Sequence, residues 1–433
     1  MKETNYIDYL DSVQQFSLMH EEPLWMMEFR KSALTKINSL EFPSFERVKY
    51  QRWPLLQVPD LFSYEEGLML AEDFLTGDSD APRVIQVGNQ TVMEQLPMKY
   101  IEQGVIFTDI FTAFQEHSDL VKKLYMKLAV EHDEDKLTAF HAAFMTSGLF
   151  LYVPKNVVID EPLEALFVQN SQVQNSQVQN SWIKHVLIFA DTNSEFTYVE
   201  KYETIGTEKN AANIIVEVIA NPGAKVKFSA VDQIGETTTT YINRRGHALK
   251  DATIEWAIGV MNAGNVIADF DTDLIGEGAH SEVKVVAISM GKQIQGIDTR
   301  VTNYGRNTIG HILQHGVILE KSTLTFNGIG HIIKGAKGAD AQQESRILML
   351  SEHARGDANP ILLIDENDVT AGHAASVGRV DPENLYYLMS RGIPKQEAER
   401  LVIRGFLGSV IAAIPLKVMR DGLVDTIERK LSK

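Results

Sequence analysis

Histidine is the residue type in this sequence that could most directly do chemistry, because imidazole binds metals and exchanges protons near neutral pH. The chain has twelve histidines. His311 and His315 are four residues apart, a ligand spacing that suits a metal site on a helix. They lie in a strand-like stretch, however, where residues four apart are separated by about 13 Å. We therefore expect no metal site shared by this pair.

Two more histidines, His353 and His373, belong to the most polar stretch of the chain, residues 351–379. His373 stands in the sequence TAGHAASVGR, Thr370–Arg379, whose small residues allow another backbone or a partner to come close. The pattern alone fits a histidine at an interface as well as a histidine that binds a metal. Both interpretations stay open at this point.

Three aspartates, Asp269, Asp271 and Asp273, alternate along one predicted strand and therefore share one face of it. Carboxylates in such a row could bind Ca²⁺, as in a carbohydrate-active enzyme built on a β-helix. Because Phe270 and Leu274 need an apolar interior, we expect the aspartates to form a solvated outer face instead. The enzyme is kept as an alternative, which Ca²⁺-dependent activity would reveal.

The sequence contains no cysteine, which excludes disulfides, cysteine zinc sites and an iron–sulfur cluster held by its own thiolates. Its 41 Lys and Arg residues are outnumbered by 58 Asp and Glu residues, and the net charge is −17. This charge argues against nucleic acid and against an anionic membrane as partners. No phosphate-binding loop and no serine hydrolase or zinc protease motif occurs. The first residues carry no signal-peptide pattern, so we expect a cytoplasmic protein.

The elements that must position these residues fall into three parts, of which the first is residues 1–147. Behind Pro23, apolar residues recur every four positions from Trp25 to Ile37, which predicts a helix. Helical patterns return at Ile110–Val130 and Asp133–Met145. We therefore predict a mainly helical N-terminal region.

The second part, residues 148–370, is a series of β-branched stretches separated by Gly, Asn or Asp. Their spacing of about 11–15 residues leaves no room for crossover helices between strands. A sandwich, a barrel or a β-solenoid would fit this spacing. The tetrapeptide IGHI occurs twice, at Ile309–Ile312 and at Ile329–Ile332. This repeat favours a solenoid and predicts a turn of roughly 20 residues.

The third part, residues 371–433, is again predicted to be helical. Pro382, Pro394 and Pro415 each stand near the start of an apolar, helix-periodic segment. Within the β region, residues 168–180 repeat the sequence VQNSQ and are too polar to pack into a core. We predict that this tract forms a mobile surface loop.

Two segments of the chain resemble a known family. Asn359–Ile393, NPILLIDENDVTAGHAASVGRVDPENLYYLMSRGI, closely resembles the C-terminal signature of the SufB/SufD family, whose members belong to the SUF iron–sulfur cluster assembly machinery. Glu22–Arg30, EPLWMMEFR, is similar to the N-terminal motif of the same family. The resemblance implies a mainly β fold, a right-handed parallel β-helix flanked by N-terminal and C-terminal α-helical subdomains.

The family has a SufB-like branch and a SufD-like branch, and two positions distinguish them. SufB-like scaffolds carry a cluster-forming cysteine that aligns with Ala354 and an acidic residue that aligns with Ala374. Both departures imply a SufD-like subunit, non-catalytic by itself, that pairs with a SufB-like scaffold and docks the SufC ATPase. A SufB-like scaffold remains an alternative.

In the SufD-like branch, the histidine corresponding to His373 lies at the SufB interface and is a candidate iron or cluster ligand. The chain alone is then expected to bind no cofactor, while a transient iron–sulfur cluster or iron could be shared with SufB. Replacing a thiolate by imidazole weakens the hold on a cluster, which suits a cluster that must be released.

The resemblance also places SufC docking on the C-terminal helices, Asp381–Ala413. Tyr386, Tyr387 and Arg391 are the candidate contacts, because aromatic and arginine side chains anchor interfaces. The two tyrosines could equally cap the end of the β-helix. An isolated chain is expected to form a homodimer.

Overall fold

The computed structural model describes residues 4–62, 81–172, 180–412 and 417–431. Its N-terminal part consists mainly of helices. These are a 3₁₀ helix at Tyr6–Tyr9, α1 (Leu10–Met19), α2 (Leu24–Lys36), α3 (Met98–Ile101), α4 (Ile110–Glu116), α5 (Ser118–Leu124) and α6 (Lys136–Phe144). The same part also supplies strands β1 (Arg83–Val87), β2 (Gln90–Gln95) and β3 (Ile106–Asp109), which the helical prediction did not include.

The helix predicted at Asp133–Met145 is α6. It begins at a capping box, in which the Asp135 carboxylate accepts hydrogen bonds from the main-chain N–H groups of Leu137 and Thr138. The helix predicted at Ile110–Val130 is instead the two short helices α4 and α5, which end at Leu124.

The Glu22–Arg30 motif fastens α2 to the end of α6. Arg30 is fully buried and pairs with Glu22 at 2.6 Å. Its Nη1 also donates to the main-chain carbonyls of Ala143 at 3.2 Å and Met145 at 2.9 Å. A buried guanidinium needs such partners, because an unpaired charge inside a protein is strongly destabilising. The motif therefore positions the N-terminal helices.

A parallel β-solenoid of about seven turns follows. Its strands are β4 (Ser147–Val153), β5 (Leu163–Asn170), β6 (Asn180–Ala190), β7 (Glu195–Ile205), β8 (Asn210–Ala220), β9 (Lys225–Gln233), β10 (Thr238–Ala248), β11 (Thr253–Val260), β12 (Val266–Leu274), β13 (His280–Ser289), β14 (Ile294–Asn303), β15 (Ile309–Ile318), β16 (Thr323–Ile332), β17 (Asp340–Met349), β18 (Arg355–Ile364) and β19 (Thr370–Arg379). Odd-numbered strands from β5 to β19 form one sheet, and even-numbered strands from β4 to β18 form the other. The mainly β solenoid between helical parts is therefore confirmed.

One solenoid turn is longer than the IGHI repeat suggested. His280 of β13 pairs with Ile309 of β15, a step of 29 residues. The two tetrapeptides lie in β15 and β16, which are consecutive along the chain but belong to opposite sheets. The prediction of a 20-residue turn is wrong, because each turn contains two strands and two connections.

Alternate side chains of every strand fill the space between the two sheets, which we call the lumen. Most of them are apolar, and they form one continuous core. Members include Phe196, Tyr198, Val226, Phe228, Ile254, Trp256, Val283, Val285, Ile297 and Phe326. Each fully buried aliphatic or aromatic side chain stabilises the fold by about 1.5–3 kcal/mol.

A charged cluster interrupts this apolar lumen. Arg244 of β10 points inward and lies 2.8 Å from Glu200 and 2.6 Å from Asp232. All three side chains are fully buried. The guanidinium also stacks on aromatic rings, those of Tyr202, Phe228 and Phe270. Burial raises the pKa of Glu200 to about 7.

The C-terminal part consists of α7 (Pro382–Ser390), α8 (Lys395–Ile411) and α9 (Lys417–Leu431). Pro382 and Pro394 stand at helix starts, as predicted, while Pro415 lies outside the described residues, as do residues 173–179 of the VQNSQ tract. Helices α8 and α9 pack on the outer face of the odd-numbered sheet. The contact is formed by Ile403, Leu407, Leu423 and Ile427 against Val231, Val286, Ile288 and Val317.

The last strand and the first C-terminal helix set the end of the solenoid. Strand β19 continues to Arg379, and α7 begins at Pro382. The boundary predicted between residues 370 and 371 falls at the start of this strand. No helix within the described ranges combines the length and apolar character that crossing a bilayer requires.

Candidate functional site

The solenoid is open at its C-terminal end. Strands β18 and β19 each pair on one side only, with β16 and β17 respectively. Residues of β19 are almost all exposed, whereas β15 and β16 are largely buried. Edge strands present main-chain N–H and C=O groups that can pair with another strand. This end is therefore a surface at which a further β-structure can be added.

His373 lies at the mouth of the lumen. Along the sheet it follows Ile312 of β15 and Gln343 of β17, one position per turn. Ile312 is part of the lumen core, so alternation places His373 in the inward-facing row. Its side chain is exposed because β19 is the last strand of its sheet. Among the described residues, none forms a hydrogen bond or an ion pair with its ring.

The two positions that distinguish the family branches are also at this end. Ala354 immediately precedes β18, and Ala374 follows His373 in β19. Neither side chain can bind iron or carry a proton. These two positions therefore add no metal-binding side chain to His373 at the open end.

Two other histidines of the sequence analysis, His311 and His315, lie in β15, which β17 separates from the edge strand β19. His311 and His315 project from the outer face of β15 and have different partners. The imidazole of His311 lies 3.5 Å from Asp340, whereas that of His315 contacts Phe406 and Glu344. The two imidazoles therefore face different partners. Within the described ranges, no group of three or more His, Asp or Glu side chains is arranged to hold a metal ion.

The aspartate row of β12 faces outward as predicted, but it is largely shielded from water, with Asp271 buried and Asp269 and Asp273 half-buried. Asp271 is 7% exposed. Arg245 lies 3.0 Å from Asp269 and 3.2 Å from Asp271. The segment that follows α2 packs against the outer face of this sheet and shields the face from water. In this apolar contact, Phe45, Val48 and Tyr50 of the segment meet Tyr241 and Ile267 of the sheet. The solvated face is therefore a wrong prediction, and Arg245 occupies the place that Ca²⁺ would need.

A buried polar chain between α6 and the solenoid escaped the sequence analysis. Asn213 donates from Nδ2 to the carbonyl of Leu137, so its Oδ1 accepts from His141 Nδ1 at 3.0 Å. His141 Nε2 must then accept from His185 Nδ1 at 3.1 Å. The lone pair of His185 Nε2 is left facing Glu217 at 3.3 Å. This order favours Glu217 as a neutral acid.

Burial shifts the pKa values within this buried polar network in both directions. It lowers the pKa of His185 to about 3 and raises the pKa of Glu217 to about 8. The members come from positions far apart in the sequence and show no common spacing, so no local signal could have identified them. Their role in the described structure is to join α6 to the outer face of the even-numbered sheet.

The buried carboxyls predict that stability falls at alkaline pH. Burial raises the pKa of Glu217 and of Asp298 to about 8, and it also raises the pKa of Asp271. Such a group stabilises the fold fully below its unfolded pKa, and this contribution disappears as pH rises through the folded pKa. From pH 7 to pH 9 we expect the free energy of unfolding to fall by on the order of 1 kcal/mol per group.

Thermal unfolding between pH 7 and pH 9 measures this dependence. The buried histidines do not confuse the sign, because above pH 7 they are mostly neutral in both the folded and the unfolded state. The variant Glu217→Gln should show a weaker dependence than the wild-type chain. A melting temperature that is constant or rises over this range would contradict the prediction.

The predicted SufC contacts lie on α7 or directly after it, and most of this helix is exposed, with only Leu385 and Leu388 half-buried. Helix α7 has no buried residue. Tyr386 is 74% exposed and Tyr387 is 57% exposed. The guanidinium of Arg391 lies 5.1 Å from the centre of the Tyr387 ring. Neither tyrosine is buried against the end of the solenoid, so both are available to a partner.

Comparison with known proteins agrees with this architecture. A family model described as SUF system FeS cluster assembly, SufBD core domain, matches residues 170–406, and one described as SufBD protein N-terminal region matches residues 1–165. The chain is 46% identical to the iron-sulfur cluster assembly protein SufD of Bacillus subtilis (strain 168), over 98% of this chain and 97% of that protein.

More distant relatives cover most of the chain as well. An iron-sulfur cluster assembly SufBD family protein of Staphylococcus aureus (strain USA300) is 26% identical over 94% of this chain and 89% of its own length. One from Staphylococcus haemolyticus has the same identity and coverage. From these matches and the solenoid fold, we conclude that the chain belongs to the SufBD family of iron–sulfur cluster assembly proteins.

Proposed function

We propose that this chain is a SufD-like, non-catalytic subunit of a SUF iron–sulfur cluster assembly complex, which pairs with a SufB-like scaffold and docks the SufC ATPase. The observation that carries the proposal is the open end of the solenoid. It presents two edge strands and the imidazole of His373, which has no hydrogen-bond or ion-pair partner among the described residues, in a chain that has no cysteine.

The exposed side chains and strand edges of the open end favour the binding of a second protein. Leu363, Ile364 and Val377 are exposed there beside the edges of β18 and β19. Exposed apolar side chains next to unpaired strand edges favour the addition of strands from a partner. A SufB-like subunit with the same solenoid would offer matching edges. In the absence of that partner, a second copy of this chain could occupy the same end.

His373 alone cannot hold an iron–sulfur cluster, so the ligands would have to come from both subunits. One neutral imidazole does not hold a cluster by itself, and iron–sulfur clusters are held mostly by thiolates. The SufB-like partner would supply the cysteine and the acidic residue that Ala354 and Ala374 replace here. Iron or the nascent cluster is thus the cargo of the interface and is released to an acceptor.

The experiment is co-expression with a SufB-like subunit and SufC, followed by size-exclusion chromatography. We expect the three proteins to elute as one complex. Leu363→Asp should weaken the complex at least tenfold, because it places a charge in the apolar part of the interface. Met98→Asp, a still more exposed apolar position in the N-terminal part, is the control and should leave the complex intact. A complex that withstands Leu363→Asp would contradict pairing at the open end.

Docking of SufC on α7 gives a separate prediction. Replacing Tyr386 and Tyr387 together by Ala should weaken SufC binding at least tenfold, because exposed aromatic side chains are typical anchors of interfaces. Titration calorimetry with purified SufC measures the dissociation constant. The pair Met98→Ala and Ile101→Ala on α3 removes similar exposed apolar surface and should leave it unchanged. Unchanged binding by the tyrosine variant would place the SufC contact elsewhere.

The two alternatives have less support. A SufB-like scaffold needs a cluster-forming thiolate, which this chain cannot supply. A Ca²⁺-dependent carbohydrate enzyme needs free carboxylates, but Asp269 and Asp271 are paired with Arg245.

A further inference from the structure

One histidine joins the solenoid to the C-terminal helices. His315 lies on the outer face of β15 and is 6% exposed. Its Nδ1 is 2.9 Å from the main-chain carbonyl of Phe406 in α8. The two rings stack, with centroids 4.9 Å apart and planes inclined by 20°. On its other side, Nε2 of the imidazole is 3.3 Å from Glu344 Oε1 of β17.

These two contacts determine which form of the ring fits. A carbonyl oxygen can only accept, so Nδ1 must carry a proton to bind Phe406. In a neutral imidazole the other nitrogen then carries a lone pair, which would face the carboxylate of Glu344. Both contacts are attractive only in the imidazolium form, in which both nitrogens donate. A neutral ring must give up one of them.

Within the sheet, Glu344 is the acid that faces this ring. Its Oε2 accepts from Arg346 at 2.8 Å, and Oε1 remains for His315. The Arg346 side chain is half exposed, so water reduces its repulsion of an imidazolium. On the other neighbouring strand, Lys284 is paired with Glu282 at 2.6 Å.

Three basic residues of the C-terminal helices have partners other than this ring. Arg400 and Arg404 of α8 lie 3.8 Å and 3.7 Å from Glu428 of α9. Lys430 of α9 donates to the carbonyl of Asn262 at 2.8 Å. The contacts of these groups in the described structure therefore leave Glu344 as the direct electrostatic partner of the ring.

We propose that protonation of His315 tightens the attachment of α8 to the solenoid, and that this joint loosens when the imidazole becomes neutral. The joint is a pH-sensitive connection between two parts of the fold, because imidazole exchanges its proton near neutral pH. Its meaning for the complex rests on the proposed function: α8 follows the α7 surface assigned to SufC. The strength of this contact would then determine how far a movement of α7, caused by SufC, is transmitted through α8 to the solenoid.

Hydrogen exchange of the isolated full-length chain tests the joint. Protection factors of the α8 amides, which correct for the intrinsic rate, are compared at pH 6 and pH 8. We expect protection of the wild-type chain to fall by about three- to tenfold, the loss of one partly exposed charge-assisted hydrogen bond. Amides of α2 serve as the internal reference, because that helix packs on the other side of the molecule.

The variant Glu344→Gln separates this joint from every other group that titrates. A glutamine side chain can donate from its Nε2 to the lone pair of neutral His315, so both contacts survive without a charge. We expect α8 protection in Glu344→Gln to change with pH at least threefold less than in the wild-type chain. His315→Phe keeps the ring stack but loses both hydrogen bonds and should show low protection at both pH values.

Two results would overturn the proposal. One is equal α8 protection of the wild-type chain at pH 6 and pH 8. The other is the same pH dependence in Glu344→Gln as in the wild-type chain, and this comparison decides even if His315→Phe does not fold. Neither measurement involves SufB or SufC, so the joint and the proposed complex can fail independently.

Discussion

Replacing His373 by Ala is expected to abolish cluster maturation while leaving the complex assembled. The exposed imidazole has no hydrogen-bond or ion-pair partner among the described residues, so its loss should change the free energy of unfolding by less than about 0.5 kcal/mol. In the proposed ligand role, however, it would have no substitute at two nearby positions, because Ala354 and Ala374 cannot bind iron. Iron and acid-labile sulfide in the anaerobically purified three-subunit complex should fall at least tenfold.

His353→Ala is the matched control for this variant. His353 is also exposed, precedes β18 and lies near the open end, yet it is not at the mouth of the lumen. We expect the control to keep the iron and sulfide content of the wild-type complex. A His373→Ala complex with normal iron and sulfide would refute the ligand role, and loss of the complex itself would show that His373 is a structural contact.

The second large effect concerns the lumen. Arg244→Met should destabilise the fold by about 3–5 kcal/mol, because it leaves Glu200 and Asp232 buried without a cation. The arginine side chain bonds both carboxylates and stacks on three rings, so methionine restores volume but none of the polar contacts. Urea unfolding at pH 8 gives the free-energy difference. At pH 6 the loss should be smaller, since the pKa of Glu200, about 7, lets it become neutral.

Two comparison variants should lose less stability than Arg244→Met. Lys225→Met breaks an exposed pair with Glu195 on the outer face, and surface pairs contribute only about 0–1 kcal/mol. Arg244→Lys keeps the charge but cannot bond both carboxylates as a planar fork does, so we expect an intermediate loss. Equal stability of Arg244→Met and the wild-type chain at pH 8 would show that the lumen cluster does not stabilise the fold.

The general architecture could be predicted from the sequence because a solenoid repeats one local pattern. Short β-branched stretches with no helical intervals excluded crossover folds, and the strand predicted to carry Asp269, Asp271 and Asp273 is β12. The length of a turn could not be obtained in the same way. It depends on which strands pair, and two identical tetrapeptides in opposite sheets gave a false period.

Contacts between distant segments account for the remaining differences. Alternation placed Asp269 and Asp271 on the outer face correctly, but nothing near them in sequence revealed the connector that covers that face. The cover comes from residues such as Val48 and Tyr50, more than 200 positions earlier. The chain from His141 through His185 to Glu217 is likewise assembled only when α6 packs on the solenoid. By contrast, the location of His373 follows from one local motif and from its place in β19, the last strand of its sheet.

Site-specific cross-linking tests the central claim, pairing at the open end, most directly. The natural absence of cysteine allows a single one to be introduced and labelled with a photoreactive maleimide. Ser376→Cys places the label on exposed β19, and Gln103→Cys places it at the opposite end of the solenoid. In the three-subunit complex we expect a cross-link to the SufB-like subunit from position 376 and none from position 103. A cross-link from position 103 alone, or none from position 376, would contradict the account.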